Sequence, residues 1–308
     1  MPGRIFVTGA TGFVGSAVVA ELTSRGYAVN ALARHGQAAA PAGDVRPIIG
    51  DLFDDKALDD GLRDTVGVIH LVGIIAEKPS KGITFERIHH QGTSRVVDAA
   101  KRNGIRRFVH MSALGTRPDA PSNYHKTKYE AEQVVRGSGL DWTIFRPSMI
   151  HGPHGEFMKM EARWARRQSP PFLFMPYFGA GVLGLGGAGL IQPVYVGDVA
   201  RAFVDALDKP GTIGRAYCLG GPETMTWPQM HRTVALSLVG KPRPALALPA
   251  WYAKFLTSVT PGFLLPFNRD QVIMSQEDNT CDLSDFRADF GWEPKGFAQA
   301  LDEYKSQL

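Results

Sequence analysis

Arg4 to Val7 is a short run of β-branched and aromatic residues, followed by glycines at 9, 12 and 15 and by the helical pattern Ser16 to Leu22. A strand that turns on three glycines into a helix is compatible with few folds, and it is the context a dinucleotide fingerprint requires. Gly9 permits the tight turn, Gly12 lets backbone N–H groups approach a pyrophosphate, and Gly15 lets helix and strand pack closely. The anion belongs at the helix N-terminus, where unpaired N–H groups and the macrodipole favour negative charge. Gly9, Thr11, Gly12, Phe13, Val14 and Gly15 are therefore candidate cofactor residues. A glycine-rich turn without a ligand is the alternative, and the flanking elements weigh against it.

Gly26 suits the αL cap of the first helix, and Tyr27 to Ala33 reads as a second parallel strand. A chain that uses NAD places an acid about 20 residues beyond the glycines, to hold the ribose 2′-OH. Arg34-His35-Gly36 stands there instead. Arg34 can pair with a 2′-phosphate in planar, bidentate fashion, which favours NADP(H) over NAD(H). Val45 to Gly50 is a third strand, and Asp51 and Leu52 follow it. Asp51 is placed either to accept from an adenine amino group or to cap the helix predicted to about Arg63. Val66 to Val72 is a fourth strand, so Leu71, Val72 and Gly73 fall at a strand end, where parallel sheets bind ligands. Phe85 to Lys101 has helical spacing, and Arg107 to Met111 is a fifth strand. This alternation predicts an α/β fold with a doubly wound, Rossmann-type parallel sheet.

Ser112 directly follows the fifth strand, and Tyr124-His-Lys-Thr-Lys128 opens a helix twelve residues later. Tyr124 and Lys128 share one helix face. An ammonium beside a phenol lowers its pKa from about 10, which lets it act as general acid or base near neutrality. Ser112 can hold a carbonyl or alcohol facing it. Tyrosine and lysine at this spacing also occur by chance on exposed helices; the order after the glycine turn and the strand-end serine favours chemistry. Ser112, Tyr124 and Lys128 are the candidate catalytic residues, with Tyr124, Lys128 and Pro147 also on the cofactor side.

Together, Gly9-Ala-Thr-Gly12-Phe-Val-Gly15, Ser112 and Tyr124-xxx-Lys128 resemble the short-chain dehydrogenase/reductase superfamily, with the glycine spacing of its extended and atypical branches, which include sugar epimerases. His70-Leu-Val-Gly-Ile-Ile75, Phe108-Val-His-Met-Ser-Ala-Leu-Gly115, Leu140-Asp-Trp-Thr-Ile-Phe-Arg-Pro-Ser148 and Gln192-Pro-Val-Tyr-Val-Gly-Asp-Val-Ala200 resemble the group related to the nucleotide-binding accessory subunit of respiratory complex I. The resemblance implies dinucleotide binding by Gly9, Gly12, Phe13 and Arg34, and a catalytic Ser112, Tyr124 and Lys128. It also implies association with a respiratory complex, and a homodimer through the helices around 85–100 and 125–136. His90-Gln-Gly92-Thr93 stands where many relatives carry Asn before Gly-Thr, so the part such an Asn plays in orienting the lysine is open. Three functions follow: an NADP(H)-dependent oxidoreductase, which is favoured; a nucleotide-binding structural or assembly protein; and a sugar-nucleotide epimerase or dehydratase.

Trp142 to Phe145 reads as a sixth strand stopped by Pro147, with Arg146-Pro147-Ser148 facing nicotinamide or substrate. His151-Gly-Pro-His-Gly155 reads as a mobile loop over the substrate; no carboxylate or cysteine stands at ligand spacing, so no metal is expected. Residues 169–189 read as a covering loop, Asp198 as a helix cap, and residues 222–308 as largely helical. The expected division is a core of residues 1–150 joined by 192–220, and a smaller substrate-side lobe of 151–191 and 221–308. Apolar residues at 172–178 and 245–267 suggest a small apolar substrate, with a quinone-related compound among the options. Trp251, Tyr252, Phe255, Phe263 and Phe267 also suit an interfacial patch, hence a location in the cytoplasm or peripheral to a membrane. A net charge of +4 gives no reason by itself to expect nucleic acid; the nearest thing to a basic cluster, Lys159 to Arg167, reads as a solvated helix face, with an acidic partner or anionic lipid as the alternative. Two distant cysteines suit a reducing compartment, and the strand starting at Arg4 leaves no room for a targeting peptide.

Overall fold

The computed structural model describes residues 3–34, 43–260, 265 and 267–308. His35, Gly36 and Phe263 lie outside the described residues. In chain order the first elements are β1 (Arg4–Thr8), α1 (Phe13–Ser24), β2 (Ala28–Ala33), β3 (Val45–Ile49), α2 (Asp55–Leu62) and β4 (Thr65–His70). A π-helical segment, Glu86–Gln91, leads into α3 (Gly92–Arg102), followed by β5 (Arg107–Met111), α4 (Asn123–Arg136), β6 (Asp141–Pro147) and β7 (Ile150–His151). Then come α5 (Glu156–Ala165), β8 (Met175–Gly179), β9 (Val194–Tyr195), α6 (Val196–Leu207) and β10 (Arg215–Leu219). The chain ends with α7 (Trp227–Val239), β11 (Ala245–Pro249), α8 (Ala250–Val259), α9 (Arg269–Met274), α10 (Ser284–Phe290) and α11 (Phe297–Tyr304).

The chain forms two units. The first comprises Met1–Pro147, Val196–Leu219 and Asp282–Trp292. Its seven strands pair in the order β10-β6-β5-β4-β1-β2-β3, every pair parallel. This is the Rossmann-type doubly wound sheet expected from the alternation. Helices cover both faces, so strands read as continuous apolar runs, and Ile5, Phe6 and Val7 are fully buried. Strand order reverses between β1 and β4, which puts the ligand crevice at their carboxyl ends.

Several local expectations change. Asp54 caps α2, accepting from Ala57 N at 3.0 Å, while Asp51 accepts from Phe53 N at 2.7 Å in its own turn. Asp51 is thus not the helix cap. β6 runs past Phe145 and ends at Pro147, as expected; Pro147 still pairs with Leu219, and its carbonyl accepts from Leu114 N at 2.9 Å. Lacking an N–H, a proline can end a strand on its donor side while its carbonyl still serves the sheet. Arg146, expected to face a ligand, instead forms a bidentate pair with the fully buried Glu132 of α4, at 2.7 and 2.6 Å. Asp198 lies inside the first turn of α6 rather than before it. Segment Asp282–Trp292 belongs to the first unit: Phe290 packs on Phe145 and Tyr217, and Trp292 Nε1 donates to Asp205 at 2.8 Å.

The second unit comprises Ser148–Tyr195, Gly220–Cys281 and Glu293–Leu308. Met158, Met175, Met230, Val234, Phe297 and Leu301 form its core. His151 is not in a mobile loop: it sits in β7, paired with β9, and its Nδ1 lies 2.9 Å from the Tyr304 hydroxyl. Burial pushes that imidazole down to about 3. Residues 169–189 hold β8, which pairs in parallel with β11. The Ser148 hydroxyl donates to the Gln192 carbonyl. Among the described residues, no helix is long and apolar enough to cross a membrane.

Glu132 is fully buried and Arg146 largely so, and removing one partner of such a pair strands a charge. Glu132→Ala should lower stability by about 3 kcal/mol. The double variant Glu132→Leu/Arg146→Met should recover most of that loss. Urea unfolding of the three proteins reads both effects.

Candidate functional site

Gly9 has φ +75°, a conformation that favours glycine, and its carbonyl receives Gly12 N at 3.0 Å. A Cβ on Gly15 would overlap that carbonyl and lie 2.8 Å from Ala10 Cα, so the helix can start this close to the strand only with glycine there. Gly12 is the N-cap of α1, with no side-chain cap and no acid in the first turn. A twelve-residue helix thus presents its first N–H groups at the sheet's switch point without a protein acceptor supplied by a capping side chain. That fits a pyrophosphate. Thr11, Gly12 and Phe13 are accessible in the turn, whereas Val14 and Gly15 are buried beneath it. Helix α1 begins at Phe13, not at Ser16.

Leu71 and Val72 back the turn, their backbone atoms lying 3.2 and 3.1 Å from where a Gly9 Cβ would stand. Leu52 is buried in the core, where its Cδ1 would meet a Gly92 Cβ at 2.7 Å, so any contact it makes with a nucleotide runs through its backbone. Arg34 is exposed at the end of β2, and no carboxylate among the described residues pairs with it.

Lys128, one helical turn after Tyr124, is fully buried. Its ammonium donates to the Met111 carbonyl at 3.0 Å, at the end of β5, and a Cβ on Gly73 would lie 3.0 Å from it. Glycine at 73 therefore makes the space in which the ammonium ends. Burial lowers the Lys128 pKa to about 8, against some support from Glu132. Ser112 is buried beside it in sequence; its N–H donates to Phe145 O at 2.8 Å, and its hydroxyl faces Thr116 at 3.4 Å.

Tyr124 departs from the expected chemistry. Burial pushes its phenol up to about 12, instead of the lysine bringing it down. The reason is geometric: the ammonium is spent on Met111, while the Tyr124 ring meets His89 edge-on at 5.3 Å and Phe85 at 5.9 Å. Among the described residues, no hydrogen bond joins Tyr124 to Ser112 or to Lys128. Tyr124 and Lys128 thus share an element, and Lys128 and Ser112 share a strand end, but the three hydroxyl and amino groups are not directly bonded.

His89 was not anticipated. The π-helical turn carries it inward, where Nδ1 lies 2.9 Å from Thr127 Oγ1 and Nε2 lies 3.1 Å from Ile74 N. The Thr127 hydroxyl donates to Asn123 O at 2.9 Å, so it accepts from Nδ1–H and leaves Nε2 to receive the Ile74 N–H. His70 is wired similarly, between Thr8 at 2.6 Å and Thr93 at 3.1 Å, and Thr93 donates to His89 O at 2.6 Å. Burial holds both imidazoles neutral, with pKa values near 2 for His89 and about 3 for His70; the Lys128 charge adds to both shifts. Extending the buried stripe Thr93, Val96, Ala100 back by one turn lands on His89, a signal present in the sequence. The residues of interest before Gly92 are therefore not His90 and Gln91, whose side chains meet Glu86 on the exposed surface.

A parallel sheet whose switch point is closed by an uncapped glycine turn, with a buried lysine at the neighbouring strand end, defines a dinucleotide-binding protein of the Rossmann class. Residues 9–161 match the NAD(P)H-binding family. The chain is 30% identical over 286 residues to the mitochondrial NADH dehydrogenase (ubiquinone) 1 alpha subcomplex subunit 9 of Arabidopsis thaliana, covering 86% of this chain and 68% of that protein. It spans less than two thirds, 60%, of the subunit of that name in Dictyostelium discoideum. It is 31% identical over 264 residues to sterol demethylase protein B of Methylococcus capsulatus, covering 79% of this chain and 76% of that one. The solved structure of MoeE5 in complex with UDP-glucose and NAD has a TM-score of 0.74 at 22% identity, covering 99% of this chain and 98% of that one. The chain belongs to the NAD(P)-binding, extended short-chain dehydrogenase/reductase family, among relatives that include the complex I subunit.

Lys128 gives up its proton at a lower pH folded than unfolded. Between pH 8 and its ordinary 10.5 the unfolded chain binds the extra proton, so stability rises with pH through that window. The slope is at most about 1.4 kcal/mol per pH unit. Lys128→Met should be more stable than the parent at neutral pH and lack this rise; denaturation curves collected across the window compare the two.

Proposed function

We propose that this chain is an NADP(H)-dependent oxidoreductase that reduces the carbonyl of a small, largely apolar molecule, a quinone-related compound among the candidates. The observation that carries the reading is the buried Lys128 ammonium, held at the strand ends beside Gly73 and one turn from a phenol that stays protonated. A neutral phenol is the donor form, so reduction is the direction it serves. The nicotinamide supplies hydride when bound. Ser112 holds the carbonyl oxygen, Tyr124 gives its proton to that oxygen as the carbon is reduced, and solvent returns a proton to the phenolate; Lys128, beside Gly73, is placed for the nicotinamide ribose. His89 holds the Tyr124 ring and the Ile74 backbone in place without adding charge. Arg34, which pairs with no carboxylate among the described residues and stands where an NAD enzyme carries an acid, supports the phosphorylated cofactor. The named activity of sterol demethylase protein B supports an apolar substrate.

A second reading is a nucleotide-binding subunit of a respiratory complex, supported by the identity to alpha subcomplex subunit 9 over most of this chain. NADPH oxidation in the presence of a carbonyl and quinone panel separates the two. The oxidoreductase reading expects turnover that Tyr124→Phe lowers at least about 100-fold while NADPH binding is retained. Turnover unchanged by that substitution, or none despite tight NADPH binding, would go against it and leave the subunit reading. Arg34→Asp should weaken NADPH about 10-fold or more relative to NADH, measured by calorimetry.

A further inference from the structure

Helix α8 is inverted. It turns Ala250 and Ala253 inward, 5% and 2% exposed, and leaves Trp251, Phe255 and Val259 outward at 55%, 54% and 61%. Tyr252 beside them is 46% exposed. An ordinary surface helix buries its large apolar side chains and exposes small or polar ones. The loop after β8 extends this surface: Trp251 Nε1 donates to Val182 O at 3.0 Å, and Val182, Leu183 and Leu185 are among the most exposed apolar residues of the protein. Contiguous exposed apolar surface of this kind marks a contact with something else.

The charge pattern selects the partner. Residues 162–197 and 224–269 contain no Asp or Glu, where the chain's average would put about eight. They hold Arg163, Arg166, Arg167, Arg232, Lys241, Arg243, Lys254 and Arg269. None of these pairs with a side-chain carboxylate among the described residues; Arg166 and Arg243 donate to main-chain oxygens. The two acid-free stretches are the ones that β8 and β11 join in parallel, so they are neighbours in the fold. Lys254 stands on α8 among the exposed aromatics. Trp and Tyr seat at the headgroup level, aliphatic tips reach the acyl boundary, and unpaired cations meet anionic headgroups.

We propose that α8 and the loop 180–187 form a docking surface for an anionic lipid bilayer, with Trp251 and Phe255 inserted and Lys254 at the headgroups. The surface is independent of whether the nucleotide site turns over. Co-sedimentation of the intact protein with phosphatidylcholine vesicles containing phosphatidylglycerol, against pure phosphatidylcholine, tests it. Binding to the anionic vesicles that weakens with added salt, with a blue shift of tryptophan emission, is expected. Trp251→Ala/Phe255→Ala should lower the bound fraction about 10-fold or more while the protein still unfolds cooperatively on heating, since both side chains are more than half exposed and the hydrogen bond lost is to the loop carbonyl of Val182. Lys254→Glu should reduce the preference for anionic vesicles several-fold. Absence of binding to either vesicle, or equal binding by the double variant, overturns the proposal. So does a lipid-free oligomer that the double variant dissolves, which would make a second copy the occupant.

Discussion

The close approach of α1 to the end of β1 is the constraint from which the nucleotide site follows. With the Gly9 carbonyl resting where a Gly15 Cβ would be, the helix axis is fixed against the central strand of the sheet. Its N-terminus then points at the switch point, with no side-chain cap and no acid in its first turn. The other end is held just as firmly: Arg25 pairs with Asp205 at 2.6 Å, and the Tyr27 hydroxyl donates to Asp208 at 2.6 Å, both on or just after α6. A binding site made of backbone N–H groups needs this rigidity, because its affinity rests on donors that are aimed before the ligand arrives.

The region around Lys128 is organised by the opposite condition, a lack of water. His70, His89, His110 and Lys128 are all buried within one small region, and His110 stacks on His70 at 5.4 Å. With one cation already present, each imidazole avoids a second charge by staying neutral, and the shifts all run the same way. Neutral imidazoles can still be wired as donor on one nitrogen and acceptor on the other, which is what His70 and His89 do. The hydrogen-bond chain thus ties β1, β4, the π-helical turn and α4 together without adding charge near Lys128.

Much of this was legible in the sequence, for identifiable reasons. The order of strands, the three glycines and the Tyr124 and Lys128 spacing depend on local periodicity, and the parallel sheet follows from alternation alone. Family membership was legible too, because it rests on the same short motifs. Burial was not. Arg146 reads as a ligand contact until Glu132, fourteen positions away, is seen beneath it. His151 reads as a loop residue until Tyr304 closes over it from the far end of the chain. Tyr124 reads as an acidified phenol because spacing shows the lysine and hides the Met111 carbonyl that takes its proton donor. The sequence motif points to the residues just before Gly92, whereas the one turned inward is His89, in the π-helical turn.

The cost of Lys128 is itself informative. A methionine of similar length would fill the same space without desolvating a charge, and replacing buried charged groups with apolar ones is often stabilising. The fold nevertheless spends more on the lysine: a glycine at 73 to make room, a backbone carbonyl as its partner, and a buried Glu132 on the next turn whose charge offsets part of the penalty. Groups with strongly perturbed pKa values and dedicated supporting residues concentrate where chemistry or ligand binding needs them. A protein that used its nucleotide only as ballast would gain from losing this arrangement, since the pyrophosphate turn is built from other residues entirely. The lysine together with its supports is thus an observation that the proposed reductase reading accounts for and the pyrophosphate turn alone does not.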